Sequence, residues 1–417
     1  MAEFAIAQDS ISLMFYNLLN FPDPVPAGRE DTLRKIIAFA KPDLFMVCEL
    51  KTEAGADSIL EVSLNESGAG SYEKADFVPM QSSPGSSNPL QQLLFYESSK
   101  FELKSQSEII TPRRDINEYI LFLKDPNLSL THDTTFLDVY VTHLKSSQGG
   151  SNEIMRREAV EELQAHLVTR PQNRSIVFAG DFNIYNNDEP AFELLTNPVN
   201  GPSFKDPASR IGDWHSSYSY RDVHTQSTRI SPIFNDGAGG GLDDRFDWIM
   251  LTEDIISGTG RFEYVSNSYQ ALGNDGNCFN DEIINCPSSE FPDSLVQALY
   301  FMSDHLPVVL QLAVDFDAEP PNGIHETKID FQIEFVSGNV ITNSLQLLII
   351  GAENADLSLQ LFNAHGDVFY SENFKRSEPV RTHGLDVTNI ESGIYFIQLF
   401  NRNSGKSISR KFIKTEG

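Results

Sequence analysis

The spacing of apolar residues changes character once along this chain, and that change constrains the fold more than any other feature. Up to residue 313, short β-prone runs alternate with helical patterns. Ser12–Tyr16, Leu44–Cys48, Leu93–Tyr96, Tyr119–Leu123, Leu137–Thr142, Ile176–Ala179, Phe246–Leu251 and Val308–Leu312 read as strands. Thr32–Ala40 sets Leu33, Ile36, Ile37 and Ala40 at i, i+3, i+4 and i+7. Ser151–Thr169 sets Val160, Leu163 and Leu167 on one helical face behind a Ser151 or Asn152 cap. Alternation this persistent means a layered α/β domain. From about Phe331 only apolar/polar alternation with turn signals remains, in Leu357–Phe362, Val368–Ser371, Gly393–Leu399 and Ser407–Ile413, the pattern of a small all-β sandwich. The intervening Asp315-Phe-Asp-Ala-Glu-Pro-Pro-Asn-Gly-Ile-His325 is acidic and broken by Pro and Gly, as linkers are. A length of 417 residues accommodates two such domains.

Composition narrows the function classes. With 40% hydrophobic residues there is enough apolar surface for sizeable cores. No stretch approaches the roughly 18 apolar residues of a spanning helix, so stable membrane insertion is not expected. The net charge of -28 argues against tight, sequence-independent binding of nucleic acid, which needs a basic face. It leaves room for an enzyme that needs turnover rather than grip. Cys48 lies in an apolar run, whereas Cys278 and Cys286 flank a polar loop. That pair could close a small disulfide or stand as two reduced thiols, and no second ligand pair suggests zinc. The start lacks an apolar signal-peptide core but holds Ala5-Ile-Ala7-Gln8, like a cleavage site. Residues 1–10 therefore read as a residual export segment, with the native signal peptide expected to be absent.

Polar side chains suited to phosphate chemistry gather at the ends of the expected strands. The segments are Tyr16-Asn17-Leu-Leu-Asn20, Val47-Cys-Glu49, Thr142-His143-Leu, Gly180-Asp181-Phe-Asn183, Arg245-Phe-Asp247-Trp and Ser303-Asp304-His305. Each alone has an ordinary structural reading as a solvated strand end, a turn or a core histidine. Magnesium prefers hard oxygen ligands, and an acid plus an amide two residues apart face one side of a strand end. The long polar connections 81–89, 197–241 and 266–292 are candidates to line a site.

In this order the segments resemble the endonuclease/exonuclease/phosphatase superfamily, which includes nucleases like deoxyribonuclease I, neutral sphingomyelinases and inositol phosphatases. The resemblance spans residues 11–313. It implies a four-layered α/β sandwich, two central β-sheets flanked by helices. It also implies a site in which Glu49, Asn17 and Asp304 hold Mg2+ or Mn2+. The acidic, Gly-rich stretch from Asp236 through Asp244 could bind Ca2+ as a structural ion, but it lacks EF-hand spacing and reads rather as a flexible turn. Asp181 would activate the attacking water and Asn183 would hold a phosphate oxygen. His305 would be braced by Asp247, and His143 would bind phosphate or protonate the leaving oxygen. An acidic partner for His143 is missing from 89–96, where Gln91 and Gln92 stand. Arg113 and Arg114 could reach a substrate phosphate. Asn20, Lys145, Trp214, His215 and His224 are looser candidates, and Trp214, Tyr218 and Tyr220 could stack on a base.

Residues 333–417, after a linker at 314–332, resemble the sorting domain of the Bacteroidetes type IX secretion system. The resemblance rests on Leu359-Gln-Leu-Phe-Asn-Ala-His-Gly366, Ser392-Gly-Ile-Tyr-Phe-Ile397 and Ser409-Arg-Lys-Phe-Ile-Lys414. It implies passage through the periplasm and contact with that machinery. The combined expectation is a secreted or surface-attached, monomeric, metal-dependent phosphodiesterase, foremost an endonuclease meeting DNA or RNA transiently. A lipid phosphodiesterase, a small-molecule phosphoesterase and a catalytically inactive binding protein are the other readings.

Overall fold

The computed structural model describes residues 9–23, 27–65, 71–84, 86, 90–125, 128, 134–171, 174–314, 331–336, 338–351, 355–363, 366–375, 380–403 and 407–415. Backbone contacts divide the chain into two compact units, Met1–Pro321 and Asn322–Gly417. The expected linker, apart from its ends, and the expected export segment up to residue 8 lie outside the described residues.

Two mixed sheets form the first unit. Sheet A comprises β1 (Asp9–Phe21), β2 (Leu44–Leu50), β3 (Tyr72–Lys74), β4 (Gln91–Glu97), β11 (Phe262–Tyr264), β12 (Gln270–Ala271) and β13 (Val308–Val314). Its order is β11-β13-β1-β2-β4-β3, with β12 also on β13. Sheet B comprises β5 (Phe101–Ile109), β6 (Ile116–Leu123), β7 (Phe136–His143), β8 (Ser175–Asp181), β9 (Phe204–Lys205) and β10 (Asp247–Thr252), in the order β5-β6-β7-β8-β10-β9. Each sheet has one parallel pair at its centre, β1 with β2 and β7 with β8, bounded on both sides by antiparallel neighbours.

Period-2 alternation in sheet B assigns the layers. Val177 and Ala179 join Val139, Val141, Ile249 and Leu251 in the core shared with sheet A. The alternate residues Ile176, Phe178, Tyr140, Trp248 and Met250 pack outward in a second core. There they meet α3 (Gly150–Val168) and α4 (Pro190–Thr196), through Val160, Leu163, Leu167, Phe192 and Leu195. Sheet A is backed by α1 (Arg29–Ala40) and α6 (Asp293–Met302), which bury Leu33, Ile36, Leu295 and Leu299. The remaining short helices are α2 (Glu53–Ser58) and α5 (Glu253–Ser257). Helix, sheet, sheet, helix is the four-layered sandwich. One detail differs from expectation: α3 starts at the Gly149 cap, which makes no side-chain cap bond, so Ser151 and Asn152 lie inside the helix.

Gly180 has a specific reason to be glycine. A Cβ there would stand 2.4 Å from the Thr142 carbonyl oxygen, since β7 and β8 pass each other with Thr142 opposite Gly180. The next rung of that ladder is His143 opposite Asp181.

The second unit is a sandwich of a three-stranded and a five-stranded sheet. The strands are β14 (Phe331–Phe335), β15 (Val340–Ile341), β16 (Ser344–Gly351), β17 (Asp356–Asn363), β18 (Val368–Lys375), β19 (Val380–Asp386), β20 (Gly393–Asn401) and β21 (Ser407–Lys414). Alternate residues Leu345, Leu347 and Ile349 of one sheet and Leu357, Leu359, Leu361, Ile397 and Leu399 of the other fill its core. Among the described residues no helix is long and apolar enough to cross a membrane.

Candidate active site

Three polar residues occupy one row across sheet B. His143 ends β7, Asp181 ends β8 opposite it, and Asp247 begins β10 opposite Asp181 on its other side. By parity they continue the inward-facing series Val139, Val141 and Val177, Ala179, so they point between the sheets where the apolar filling stops. Sheet A supplies the rest: Asn17 from the irregular end of β1, Glu49 from β2, and Asp304 and His305 just before β13. Leu19, Asn20, Glu49 and Asn183 all have positive φ, between 46° and 58°. Strained backbone of this kind concentrates at functional sites.

The side chains form one network. His305 Nδ1 lies 2.7 Å from Asp247 Oδ2, and His305 Nε2 lies 3.8 Å from Asp181 Oδ2. Asn17 Nδ2 donates to Asp181 Oδ2 (3.0 Å) and Glu49 Oε1 (3.2 Å), while its own oxygen accepts from the Leu19 N–H (3.0 Å). His143 Nε2 stands 3.5 Å from Asp181 and 3.9 Å from Glu49. Gln226 Nε2 lies 2.6 Å from His305 Nε2 and 3.3 Å from Asp304 Oδ2. A cavity of about 300 Å3, open to solvent, is lined by Glu49, His143, Asp181, Gln226, Asp304 and His305 together with Arg114, Asn183, Asp236 and Gly237, while Asn17 and Asp247 stand behind this lining.

Electrostatics separate the two histidines. Burial disfavours a charged His305, but the carboxylates of Asp247, Asp304 and Asp181 outweigh it and push the imidazole well above its ordinary value. A doubly protonated ring offers only N–H at Nε2, which favours the Gln226 amide turned with its oxygen inward. For His143, burial and then Arg114, His305 and Lys145 hold the ring well below its ordinary value, so it is neutral near pH 7. The nearby carboxylates do not reverse this, because burial raises both Asp181 and Glu49 and so weakens the negative charge they present to the ring. Burial, partly relieved by His305 and reinforced by Asp247 and Glu49, raises the Asp181 carboxyl to about 7. Burial and then Asp304 raise Glu49.

The donor set fits a divalent cation. Glu49, His143 and Asp181 offer ligand atoms within 4.8 Å of one another. Asp304 Oδ1 is buried without a partner among the described residues, although Oδ2 accepts from the Ala238 N–H at 2.6 Å. Two crowded carboxylates and an orphaned third are what a hard cation would relieve. Asn17 departs from its expected part, since its oxygen is taken by Leu19 and its nitrogen faces the acids. It bridges Glu49 and Asp181 rather than offering an oxygen ligand.

Other expectations also shift. Arg113 is exposed and absent from the cavity lining, so the arginine pair reduces to Arg114, whose Nη1 donates to the Leu144 carbonyl at 2.9 Å. Trp214 is wholly buried and bonded to the Ile184 carbonyl, so it cannot stack on a base. His224 is buried against the Trp214 carbonyl, and His215 pairs with Asp244. His143 Nδ1 is buried without a partner among the described residues, in keeping with the missing acid. Cys278 and Cys286 are disulfide-bonded, and Cys48 is free and buried. No sequence pattern marks Gln226, and Asp236 is expected only as the start of an acidic, Gly-rich turn or Ca2+ loop. Both lie in the long 197–241 connection, where no periodicity marks them.

Comparison with known proteins decides the C-terminal unit. Residues 328–415 match the family model of the secretion system C-terminal sorting domain. The sorting-domain match takes in every strand from β14 to β21. No curated protein matches the sequence. Solved structures similar to this chain include an endonuclease/exonuclease/phosphatase from Beutenbergia cavernae, at 14% identity and TM-score 0.46, covering 97% of this chain and 99% of that one. The human Nocturnin catalytic domain with bound sulfate has 16% identity and TM-score 0.44, covering 74% and 98%. D. rerio TDP2 complexed with single-strand DNA product has 13% identity and TM-score 0.44, covering 73% and 99%.

Proposed function

We propose that the first unit is a divalent-metal-dependent phosphodiester hydrolase acting as an endonuclease on DNA or RNA, exported by means of its C-terminal sorting domain. The observation that carries the reading is the inward row of His143, Asp181 and Asp247, closed from the opposite sheet by a cationic His305. Such a row places a base, a brace and a charge stabiliser around one point.

Asp181, raised toward neutrality, accepts a proton from the attacking water, and Asn17 orients that carboxylate through its 3.0 Å bond. His305 keeps Nδ1 committed to Asp247 and turns Nε2–H toward the charge that develops on the phosphoryl oxygens, where a substrate oxygen competes with Gln226. Arg114 and the Asn183 amide line the same cavity and hold the remaining phosphate oxygens. Glu49 and Asp304, with Asp181 and the neutral His143 nearby, would hold Mg2+ or Mn2+, which supplies Lewis-acid polarisation of the phosphoryl group. The neutral state of His143 favours ligation or hydrogen bonding over proton donation. The new bond joins water oxygen to phosphorus, the ester bond opposite it breaks, and the leaving oxygen takes a proton from solvent.

The deciding experiment measures product release from plasmid DNA, RNA, sphingomyelin and bis-p-nitrophenyl phosphate, each with Mg2+, Mn2+, Ca2+ or chelator. Metal-dependent nicking of the plasmid supports the reading. Turnover of lipid alone would overturn the substrate and keep the chemistry.

A further inference from the structure

One wall of the cavity is a tight hairpin whose tip carries an aromatic ring into solvent. Ile233 and Asp236 form an isolated antiparallel bridge closed by the Asp236 N–H to Ile233 carbonyl bond at 3.2 Å. The two residues between them, Phe234 and Asn235, have φ of 56° and 61°, the signature of a type I′ turn. Asparagine and glycine suit such a turn, whereas a bulky side chain at positive φ is strained. Phe234 is nevertheless 44% exposed, so burial offsets the strain only in part. Strain that packing does not fully repay is a sign of function.

The hairpin is braced against the site. Asn20 Nδ2 donates to both Asp236 carboxylate oxygens, at 3.0 and 3.3 Å, and the Ala238 N–H donates to Asp304. Ile233 packs on the core, and Gly237, with φ of 88°, lies so close to Asp304 that a Cβ would be 3.2 Å from its carboxylate. Phe234 is two residues from the cavity-lining Asp236, so their Cα atoms are within about 7 Å of each other.

We propose that Phe234 stacks on a nucleobase next to the scissile phosphate and so makes the enzyme prefer base-bearing strands. The inference rests on the nuclease reading. Stacking suits a single exposed ring on a rigid mount, because every base presents a π-face. A lipid surface fits less well. Residues 230–244 contain no Lys or Arg, while Asp236, Asp243 and Asp244 are acidic, and interfacial segments combine apolar with basic residues.

The test compares wild type, Phe234→Asn and Phe234→Trp on a metal-supplemented single-stranded oligonucleotide and on the same strand with abasic residues around the cleavage site. Asparagine suits the turn, so Phe234→Asn is expected to keep or raise the melting temperature, which separates lost binding from lost fold. It is expected to lower kcat/KM on the base-bearing strand by about tenfold, the scale of one stacked base, and to erase most of the preference over the abasic strand. Phe234→Trp should retain the preference. Equal losses on both strands, or none, would overturn the inference while leaving the nuclease reading intact. A wild type inert toward both strands would overturn the inference, and one that also leaves plasmid DNA and RNA intact would overturn the nuclease reading. Sedimentation with phosphatidylcholine or sphingomyelin vesicles that depends on Phe234 would replace the base by a lipid surface.

Discussion

Asp181 lies between two imidazoles of opposite character, the neutral His143 at 3.5 Å and the cationic His305 at 3.8 Å. Its carboxyl is raised to about 7 because burial and two further acids outweigh the one cation. That balance predicts separable effects. His305→Ala is expected to reduce kcat by about 10²- to 10⁴-fold, with a far-UV circular dichroism spectrum like the wild type's. Full activity in that variant would remove His305 from the mechanism. Metal binding has a readout of its own. At about 100 times the Kd, a cation bound only by the folded protein adds about 2.7 kcal/mol of stability, seen as a rise in melting temperature with Mn2+. Glu49→Gln should lose most of that rise, and an undiminished rise would place the cation elsewhere.

At the scale of elements, a buried ion pair aligns the strand that carries Asp247. Arg245, just before β10, is wholly buried, lies 3.5 Å above the Trp248 ring centre and holds Asp206, just after β9, through bonds of 2.7 and 2.9 Å. Burial alone would raise the Asp206 carboxyl, but the Arg245 charge and its hydrogen bonds lower it overall. A lowered folded value stabilises above the unfolded value of about 3.9, and this contribution disappears as pH falls through the folded value. Asp206→Asn is thus expected to cost about 3–5 kcal/mol near pH 7, measured by urea unfolding, and to flatten the acid limb of the stability profile. An unchanged acid limb would mean that other carboxylates dominate it.

Elements also explain what could be read in advance. All eight strands expected in the first unit exist, because each has apolar residues on two buried faces or on one. β5 escaped notice because its middle, Lys104-Ser-Gln-Ser107, is polar and half-exposed at a sheet edge. The side chains of the site were recognisable where they end strands, as Glu49, His143 and Asp181 do. Gln226 and Asp236 reach the cavity only through the course of a 45-residue stretch at 197–241 that no local rule describes. Asn17 was recognisable by position, but the direction of its amide depends on the Leu19 N–H, a tertiary detail.

For the whole molecule, charge sets the encounter. A net -28 repels a polyanion at long range, and salt screens that repulsion within a Debye length of about 8 Å at physiological strength. Raising monovalent salt from low to physiological levels at fixed Mg2+ should therefore raise kcat/KM on plasmid DNA, opposite in sign to a basic nuclease. A steep fall would reveal a local cationic track that outweighs the net charge.

Sheet A contributes Asn17, Glu49, Asp304 and His305, and sheet B contributes His143, Asp181 and Asp247. Neither half contains a working set. An incompletely folded chain with only one sheet in place would hold either the acceptor of the proton or the cation that answers it, never both. With the proposed hydrolase function, catalysis is a coincidence detector for the docking of the two sheets, and recovery of turnover during refolding would time that single event.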